Sequence, residues 1–407
     1  MKYHDQTLFF FTISFPYGQG ETFIHNEFPY LTSHFKKIII ITSSEKKGEP
    51  VLPHNVTLHS LNDILKNQNK KKFFIRNLPL IIKILFTEFI SCRSKTFFLK
   101  NIRTYNSTLI SSIICASFIA NLQEFNRNCI FYSFWMNNHA LTLSILKMKY
   151  QIERFLFRVH GYDLILERWP HRYIAFQRTC HNYADKILTV SKKSLEYFKK
   201  TYPQTRVAEF SYLGSRDNGV NPDQGSETLT IVSCSNVIPL KRLNLIIDIL
   251  KDVTVKVKWI HFGDGYLIEE IKSYSRTLPT HITSEFMGKV SQSELFEFYR
   301  NHHIDYFINV SDSEGLPFTI IEACSFGIPI IATDVGGTSE IVNENTGKLL
   351  PENFHPKEVA RLLNEFSSLP YKEKEFRAGV RDFWRKNFCA DLVYPVFIRR
   401  HLLQEVE

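Results

Sequence analysis

Short apolar runs alternate along the chain with longer stretches whose apolar residues recur at helical spacing. The runs Leu8–Phe15, Lys37–Thr42, Cys129–Ser133, Arg154–Val159 and Lys186–Val190 predict strands, and Thr22–Phe35 and Ser191–Thr201 between them predict helices. This alternation argues for a parallel sheet covered by helices on both faces. From Ser215 to Glu227 the chain reads SRDNGVNPDQGSE, which predicts a linker because almost no large apolar residue is present. A second alternating series follows. Its strands are predicted at Leu229–Cys234, Lys256–Gly263, Ile282–Met287, Ile304–Val310, Pro329–Thr333 and Lys348–Leu350. Its helices are predicted at Arg242–Lys251, Tyr266–Arg276, Ser291–Tyr299, Pro317–Phe326 and Pro356–Phe366. The fold class is therefore α/β, with two doubly wound domains joined near residue 220. Ligands of such sheets sit at the carboxyl ends of the strands, and two facing domains would hold one in the cleft between them.

Composition narrows the class without naming a function. Of 407 residues, 44% are hydrophobic and 22% charged, which excludes a disordered, collagen-like or polytopic membrane chain. The apolar run after Leu8 carries Thr12 and Ser14 and no small-residue cleavage site follows, so a buried strand is expected, not a signal peptide. The stretch Leu109–Leu122 contains three serines and Asn121 and falls short of the ~20 apolar residues of a spanning helix. Seven cysteines, none in a C-x-x-C pair, argue against a zinc ribbon or a disulfide framework and fit a reducing compartment such as the cytoplasm.

Charge is local. The formal net charge is +9, and Ile64–Arg103 alone holds ten Lys and Arg against Glu88. Phe, Ile and Leu are interleaved with those cations. Such a segment reads as an interfacial element for an anionic membrane surface. The alternative is one or two core helices with a solvated lysine face. No nucleic-acid recognition motif accompanies the charge, so no nucleic-acid partner is expected.

The most informative stretch is IDYFINVSDSEGLPFTIIEACSFGIPIIATDVGGTSEIVNENTGKLL, residues 304–350. A buried strand ends at Val310, a polar loop follows, and Gly315 and Pro317 open a helix. Glycine permits close backbone approach, proline suits the first helical turn, and backbone N–H groups there suit a phosphate or a sugar hydroxyl. Glu314 on the loop and Glu322 on the helix bring two carboxylates to one place. The string Glu314-Gly315-x-Pro317, then Glu322-Ala323, Gly327, Pro329 and Gly336-Gly337, closely resembles the signature of retaining glycosyltransferases of family four. Ser233–Arg242 resembles the strand-to-helix loop of that family whose lysine, here Lys241, binds the donor diphosphate. The family's usual arginine five positions earlier is replaced by Asn236, so Arg242 or backbone amides would supply the second positive contact. His261–Gly265 resembles its Gly-Asp-Gly turn, and Met287-Gly288-Lys289-Val290 the loop whose backbone meets the nucleotide base. In the first half, Gly18 and Gly20 resemble its glycine loop, with Gly-x-Gly in place of adjacent glycines. His160-Gly-Tyr-Asp163 resembles the segment whose histidine faces the donor sugar.

That resemblance implies the GT-B fold: two Rossmann-like domains facing a central cleft. The acceptor-side domain would span 1–220, the nucleotide-sugar domain 221–379, and a C-terminal helix, 380–407, would pack back on the first. It implies transfer of a sugar from a UDP- or GDP-linked donor to an acceptor hydroxyl with retention. Glu314, Lys241 and His160 would serve catalysis. Glu322, Arg242, Asn236, Gly18, Gly20, Gly288, Val290, Gly315, Leu316, Pro317 and Phe318 would serve donor binding. No metal and no cofactor are expected, the nucleotide sugar being a substrate. The motifs F-P-Y-G-x-G-E-T-F and R-V-H-G-Y-D-L most resemble bacterial enzymes that build surface polysaccharides on lipid-linked or oligosaccharide acceptors. A cytoplasmic protein, peripheral on the inner face of the membrane, is the matching expectation. The alternatives are a sugar-nucleotide epimerase of the same fold and a non-catalytic accessory subunit.

Overall fold

In the computed structural model, residues 5–45, 48, 50–223, 227–365 and 369–405 are described. The chain divides into two compact units, 1–211 together with 395–407, and 212–394.

The first unit is built on seven parallel strands: β1 (Leu8–Thr12), β2 (Ile38–Thr42), β3 (Val56–Ser60), β4 (Ile130–Ser133), β5 (Phe155–Val159), β6 (Lys186–Thr189) and β7 (Ala208–Phe210). Their order is β3-β2-β1-β4-β5-β6-β7, with Phe10 beside Ile40 on one side and Tyr132 on the other. Strands β1, β2, β4 and β5 are buried at every position, as expected where helices cover both faces of a parallel sheet. The order reverses between β1 and β4, the place where such sheets open a crevice. Strand β1 stops three residues before the expected end. The N–H groups of Ile13, Ser14 and Phe15 turn away from the ladder to the carboxylate of Glu21, at 3.0, 2.6 and 2.6 Å. Helices Lys70–Arg76, Leu78–Ser91, Lys95–Lys100 and Ile102–Ala120 fill the crossover from β3 to β4. Among the described residues no helix is long and apolar enough to cross a membrane.

The last residues belong to this unit. Phe397 packs on Tyr132 at 5.3 Å and lies 4.3 Å under the Arg158 guanidinium. Arg158 is fully buried. It donates to the Tyr132 hydroxyl at 2.7 Å and to the Ser211 carbonyl at 2.8 Å, and pairs with Glu27 at 3.4 Å.

The second unit has six parallel strands: β8 (Leu229–Cys234), β9 (Val257–Phe262), β10 (Ile282–Gly288), β11 (Tyr306–Asn309), β12 (Ile330–Thr333) and β13 (Gly347–Leu350). Their order is β10-β9-β8-β11-β12-β13, which repeats the reversal between its first and fourth strands. The helix predicted from Pro356 runs to Asn364; its expected last residue, Phe366, lies outside the described residues.

The segment 215–223, expected as a linker, is packed into this unit; residues 224–226 lie outside the described residues. Asn221 is buried and donates to the carbonyls of Tyr299 and His302 at 2.5 and 2.8 Å. It accepts from Ile304 N–H at 3.0 Å and from Arg377 at 2.6 Å. A polar, glycine-bearing sequence signals irregular backbone, not mobility, when its amides find partners. The same bonds keep helix Lys374–Asn387 in the second unit, where the Trp384 indole donates to Ser215 Oγ at 2.8 Å. The return to the first unit begins at Pro395.

Candidate active site

In the second unit the expected residues converge at the carboxyl ends of β8 and β11, the switch point of the sheet. Lys241 closes a short turn after β8 and places Nζ 2.5 Å from Glu314 Oε1. Asn309, the last residue of β11, donates to the same oxygen at 3.4 Å. Burial opposes the charge on Glu314. The Lys241 ammonium and hydrogen bonds from Lys241, Ser311 and Asn309 outweigh it and hold the carboxyl below its ordinary range. A small crevice here is lined by Ser233, Cys234, Ser235, Lys241, Asn309 and Ser311.

Glu322 lies on helix Phe318–Ser325, which no side chain caps. It is buried, and burial pushes its carboxyl up to about 7, against one bond accepted from Gln292 Nε2 at 2.5 Å. The half-buried Cys234 thiol, which lines this crevice with Lys241, is pushed up to about 12, by burial first and then by the charge of Glu322. A carboxylic acid with one neutral partner in a buried position is costly once ionised, and such groups cluster at functional sites. Leu316 and Pro317 are buried in the turn before the helix.

The loop geometry explains the glycines. A Cβ on Gly336 would stand 1.9 Å from the Glu314 carbonyl oxygen, at a φ of +53°, and Gly337 N–H donates to the Gly315 carbonyl at 2.9 Å. The Gly336-Gly337 pair therefore closes directly on the Glu314-Gly315 loop. A Cβ on Gly263 would meet the Ser235 carbonyl at 1.9 Å, so the Gly-Asp-Gly turn closes on the loop that leads to Lys241. Gly263 N–H donates to the Gly288 carbonyl at 2.8 Å, and Gly288, at a φ of +68°, turns the chain toward a half-buried Val290.

Arg242 and Asn236 lie at the same turn. Arg242 adopts a left-handed backbone, and its guanidinium donates to the carbonyls of Val310 at 2.7 Å, Ser311 at 3.1 Å and Glu352 at 3.3 Å. It braces the strand-to-loop junction and pairs with Asp312 at 3.6 Å. Asn236 is exposed on the turn after β8.

The first unit carries its own polar cluster at the ends of β1, β4 and β5. His160 follows β5, is buried, and leaves both ring nitrogens without a hydrogen-bond partner. Rings of Trp135, Phe134 and Phe23 surround it at 4.1, 5.1 and 6.1 Å. Asp163 fixes the turn, accepting from His160 N–H at 2.5 Å and Met136 N–H at 2.9 Å. Gly18 donates to the Ser14 carbonyl at 2.9 Å, and a Cβ there would meet Ser14 Cβ at 2.6 Å; Gly20 is exposed.

Sequence reasoning missed the residue that organises this loop. Beside the three backbone amides, Glu21 accepts from the Trp135 indole at 2.6 Å and from Ser14 Oγ at 3.2 Å. It thereby ties the glycine loop to the ring that packs on His160. Only its place one residue after the second glycine could have flagged it. Glu21→Ala leaves buried donors without an acceptor, at about 1–3 kcal/mol each. A loss of at least ~2 kcal/mol in urea unfolding is expected on that basis; an unchanged midpoint and slope would contradict the assignment. Gln292 and Asn309 were missed as well, because neither belongs to a motif.

Comparison with known proteins bears on both units. Residues 221–383 match the family model described as glycosyl transferases group 1. An uncharacterized glycosyltransferase of Methanocaldococcus jannaschii is 24% identical over 299 residues, 70% of this chain and 81% of that protein. An O-antigen biosynthesis glycosyltransferase of Escherichia coli is 32% identical over 121 residues, 29% of this chain and 32% of that protein. The crystal structure of HepE from Anabaena in complex with UDP and glucose superposes with a TM-score of 0.68 at 14% identity, over 98% of this chain and 100% of that one. Two parallel-sheet, Rossmann-like units of the GT-B type are thus the architecture of this chain.

Proposed function

We propose that this chain, whose residues 221–383 match the family model of group 1 glycosyl transferases, moves a sugar from a nucleotide-sugar donor to an acceptor hydroxyl with retention of configuration. The observation that carries the reading is the Lys241–Glu314 pair at the switch point of the second sheet, with Glu322 on the helix that follows the Glu314 loop. Glu322 is assigned to the donor ribose hydroxyls and Glu314 to the transferred sugar. Lys241 neutralises the diphosphate as it leaves, and the loop Gly315–Phe318 and the backbone at Gly288–Val290 complete the donor seat. His160, whose ring nitrogens make no hydrogen bond and whose Nδ1 lies 4.0 Å from Asp163, is assigned to a substrate hydroxyl.

The bond between the anomeric carbon and the phosphate oxygen breaks, and the acceptor oxygen bonds to that carbon on the same face. The acceptor proton passes to the departing phosphate. This route needs no protein base, and we assign it no metal and no cofactor, since Lys241 and preorganised amides meet the developing charge. A UDP- or GDP-linked donor is proposed, the HepE structure holding UDP and glucose. The O-antigen relative supports a surface-polysaccharide acceptor, lipid-linked or oligosaccharide, met at the inner face of the cytoplasmic membrane.

A panel of nucleotide sugars in thermal unfolding tests the donor side. At a hundredfold excess over Kd a bound donor stabilises the fold by about 2.7 kcal/mol. One sugar class should raise the midpoint, equally with and without chelator. If no nucleotide sugar stabilises the protein, or if stabilisation and turnover vanish with chelator and return with manganese, the reading is wrong.

A further inference from the structure

Helix Leu78–Ser91 is apolar on two opposite faces. At ~100° per residue, Ile81, Ile84 and Glu88 share one face and are buried in the first unit. Leu78, Ile82, Phe86 and Ile90 advance ~40° at each step and form a ridge on the other face. Ile82, Phe86 and Ile90 are 58%, 63% and 56% exposed, and Ile75 and Leu99 on the flanking helices are 62% and 57% exposed. A solvated helix carries polar residues on its outer face, so such a ridge calls for a partner.

The surrounding charge selects that partner. Lys70, Lys71, Lys72, Arg76, Lys83, Arg93, Lys95, Lys100 and Arg103 are all exposed. The one acid between Ile64 and Arg103 is Glu88, and it points inward. It accepts from the Tyr173 hydroxyl at 2.8 Å, Phe176 N–H at 3.0 Å, and Thr179 N–H and Oγ1 at 3.1 and 2.7 Å. With no acid to answer nine cations, a second copy of this face would be repelled. A bilayer with anionic headgroups supplies both an apolar layer for the ridge and negative charge for the cations around it.

We propose that helices Lys70–Arg76, Leu78–Ser91 and Lys95–Lys100 form a docking face for an anionic lipid bilayer, with Ile82, Phe86 and Ile90 as the inserted side chains. The face is rigidly joined to the chain that leads from His160. Glu88 holds the segment 173–179, and Phe97 packs on His171 at 4.6 Å. Docking would therefore hold that loop at a set place near the membrane surface, where a lipid-linked acceptor diffuses. Only this last consequence rests on the transferase reading.

The test is cosedimentation of the full chain with vesicles of equal phosphatidylcholine and phosphatidylglycerol, against pure phosphatidylcholine, without donor or acceptor. Binding to the anionic vesicles at low salt is expected, with partial release as the Debye length falls from about 10 Å at 0.1 M to about 3 Å at 1 M. The Lys70→Glu, Lys71→Glu, Lys72→Glu variant should bind more weakly by on the order of a hundredfold. The Ile82→Ser, Phe86→Ser, Ile90→Ser variant should lose at least about tenfold in vesicle affinity and keep its melting midpoint, because these side chains already face water. Phe86→Trp should show a blue-shifted emission on anionic vesicles. The proposal is overturned if wild type ignores anionic vesicles at low salt or if the serine variant binds them as well as wild type. It is equally overturned if wild type is a dimer that the serine variant makes monomeric. Failure here leaves transfer to a non-lipid acceptor standing, whereas a failed donor panel would remove the transfer reading without touching vesicle binding.

Discussion

Donor affinity should rise about tenfold between pH 6 and pH 8 as Glu322 ionises, and Glu322→Gln should abolish that dependence. The carboxyl is pushed up to about 7 by burial, so near neutrality only part of it is ready to accept two ribose hydroxyl bonds. Charge-assisted bonds contribute about 1.5–3 kcal/mol each, so Glu322→Ala should weaken donor binding on the order of a thousandfold. Stability should move the other way. The unfolded chain releases this proton near 4.5 and the folded protein only near 7, so stability falls as pH rises through that window. Glu322→Gln avoids the cost: it should match wild type below 4.5 and exceed it by roughly 3 kcal/mol at about pH 8. Calorimetry of donor binding across pH, with urea unfolding of the same variants, checks both signs. A donor affinity that is flat in pH, or a glutamine variant less stable than wild type at pH 8, would refute the placement of Glu322.

Lys241→Ala should lower kcat by about a hundredfold to a thousandfold, with a smaller change in donor affinity. Its charge matters most as the diphosphate leaves, which makes it a transition-state interaction. Removing it also strands the Glu314 carboxylate, now paired at 2.5 Å, and that alone destabilises the site. The double variant Lys241→Ala, Glu314→Gln separates the two effects. It should recover most of the lost stability and none of the lost turnover. Single-turnover rates at saturating donor give the answer, and an alanine variant with wild-type kcat would exclude the leaving-group role.

Most of this was legible in the sequence where one physical requirement governs one residue pattern. Buried parallel strands must be continuously apolar, so FFF at Phe9 and IIII at Ile38 declared themselves. Strand β3, VTLHS, is a half-buried edge, and β7 has three residues; neither needs such a pattern, and both were missed. The glycines that touch carbonyls, Gly263 and Gly336, sat in recognisable strings because nothing larger fits. Contacts made by backbone geometry left no trace. The left-handed turn at Arg242 sends its guanidinium to carbonyls, and Glu21 collects amides that its neighbours do not announce. Apolar residues encircle Leu78–Ser91, so composition alone could not say which side faces water.

Transfer itself is read most directly by following the anomeric proton during turnover. The protein is incubated with the nucleotide sugar that stabilises it and a lipid-linked or oligosaccharide acceptor, and products are resolved by proton NMR. Nucleoside diphosphate should appear only when acceptor is present, with the sugar on an acceptor hydroxyl in the configuration it had in the donor. An altered sugar formed from donor alone, as an epimerase would give, an inverted linkage, or no turnover with any stabilising donor would contradict the account.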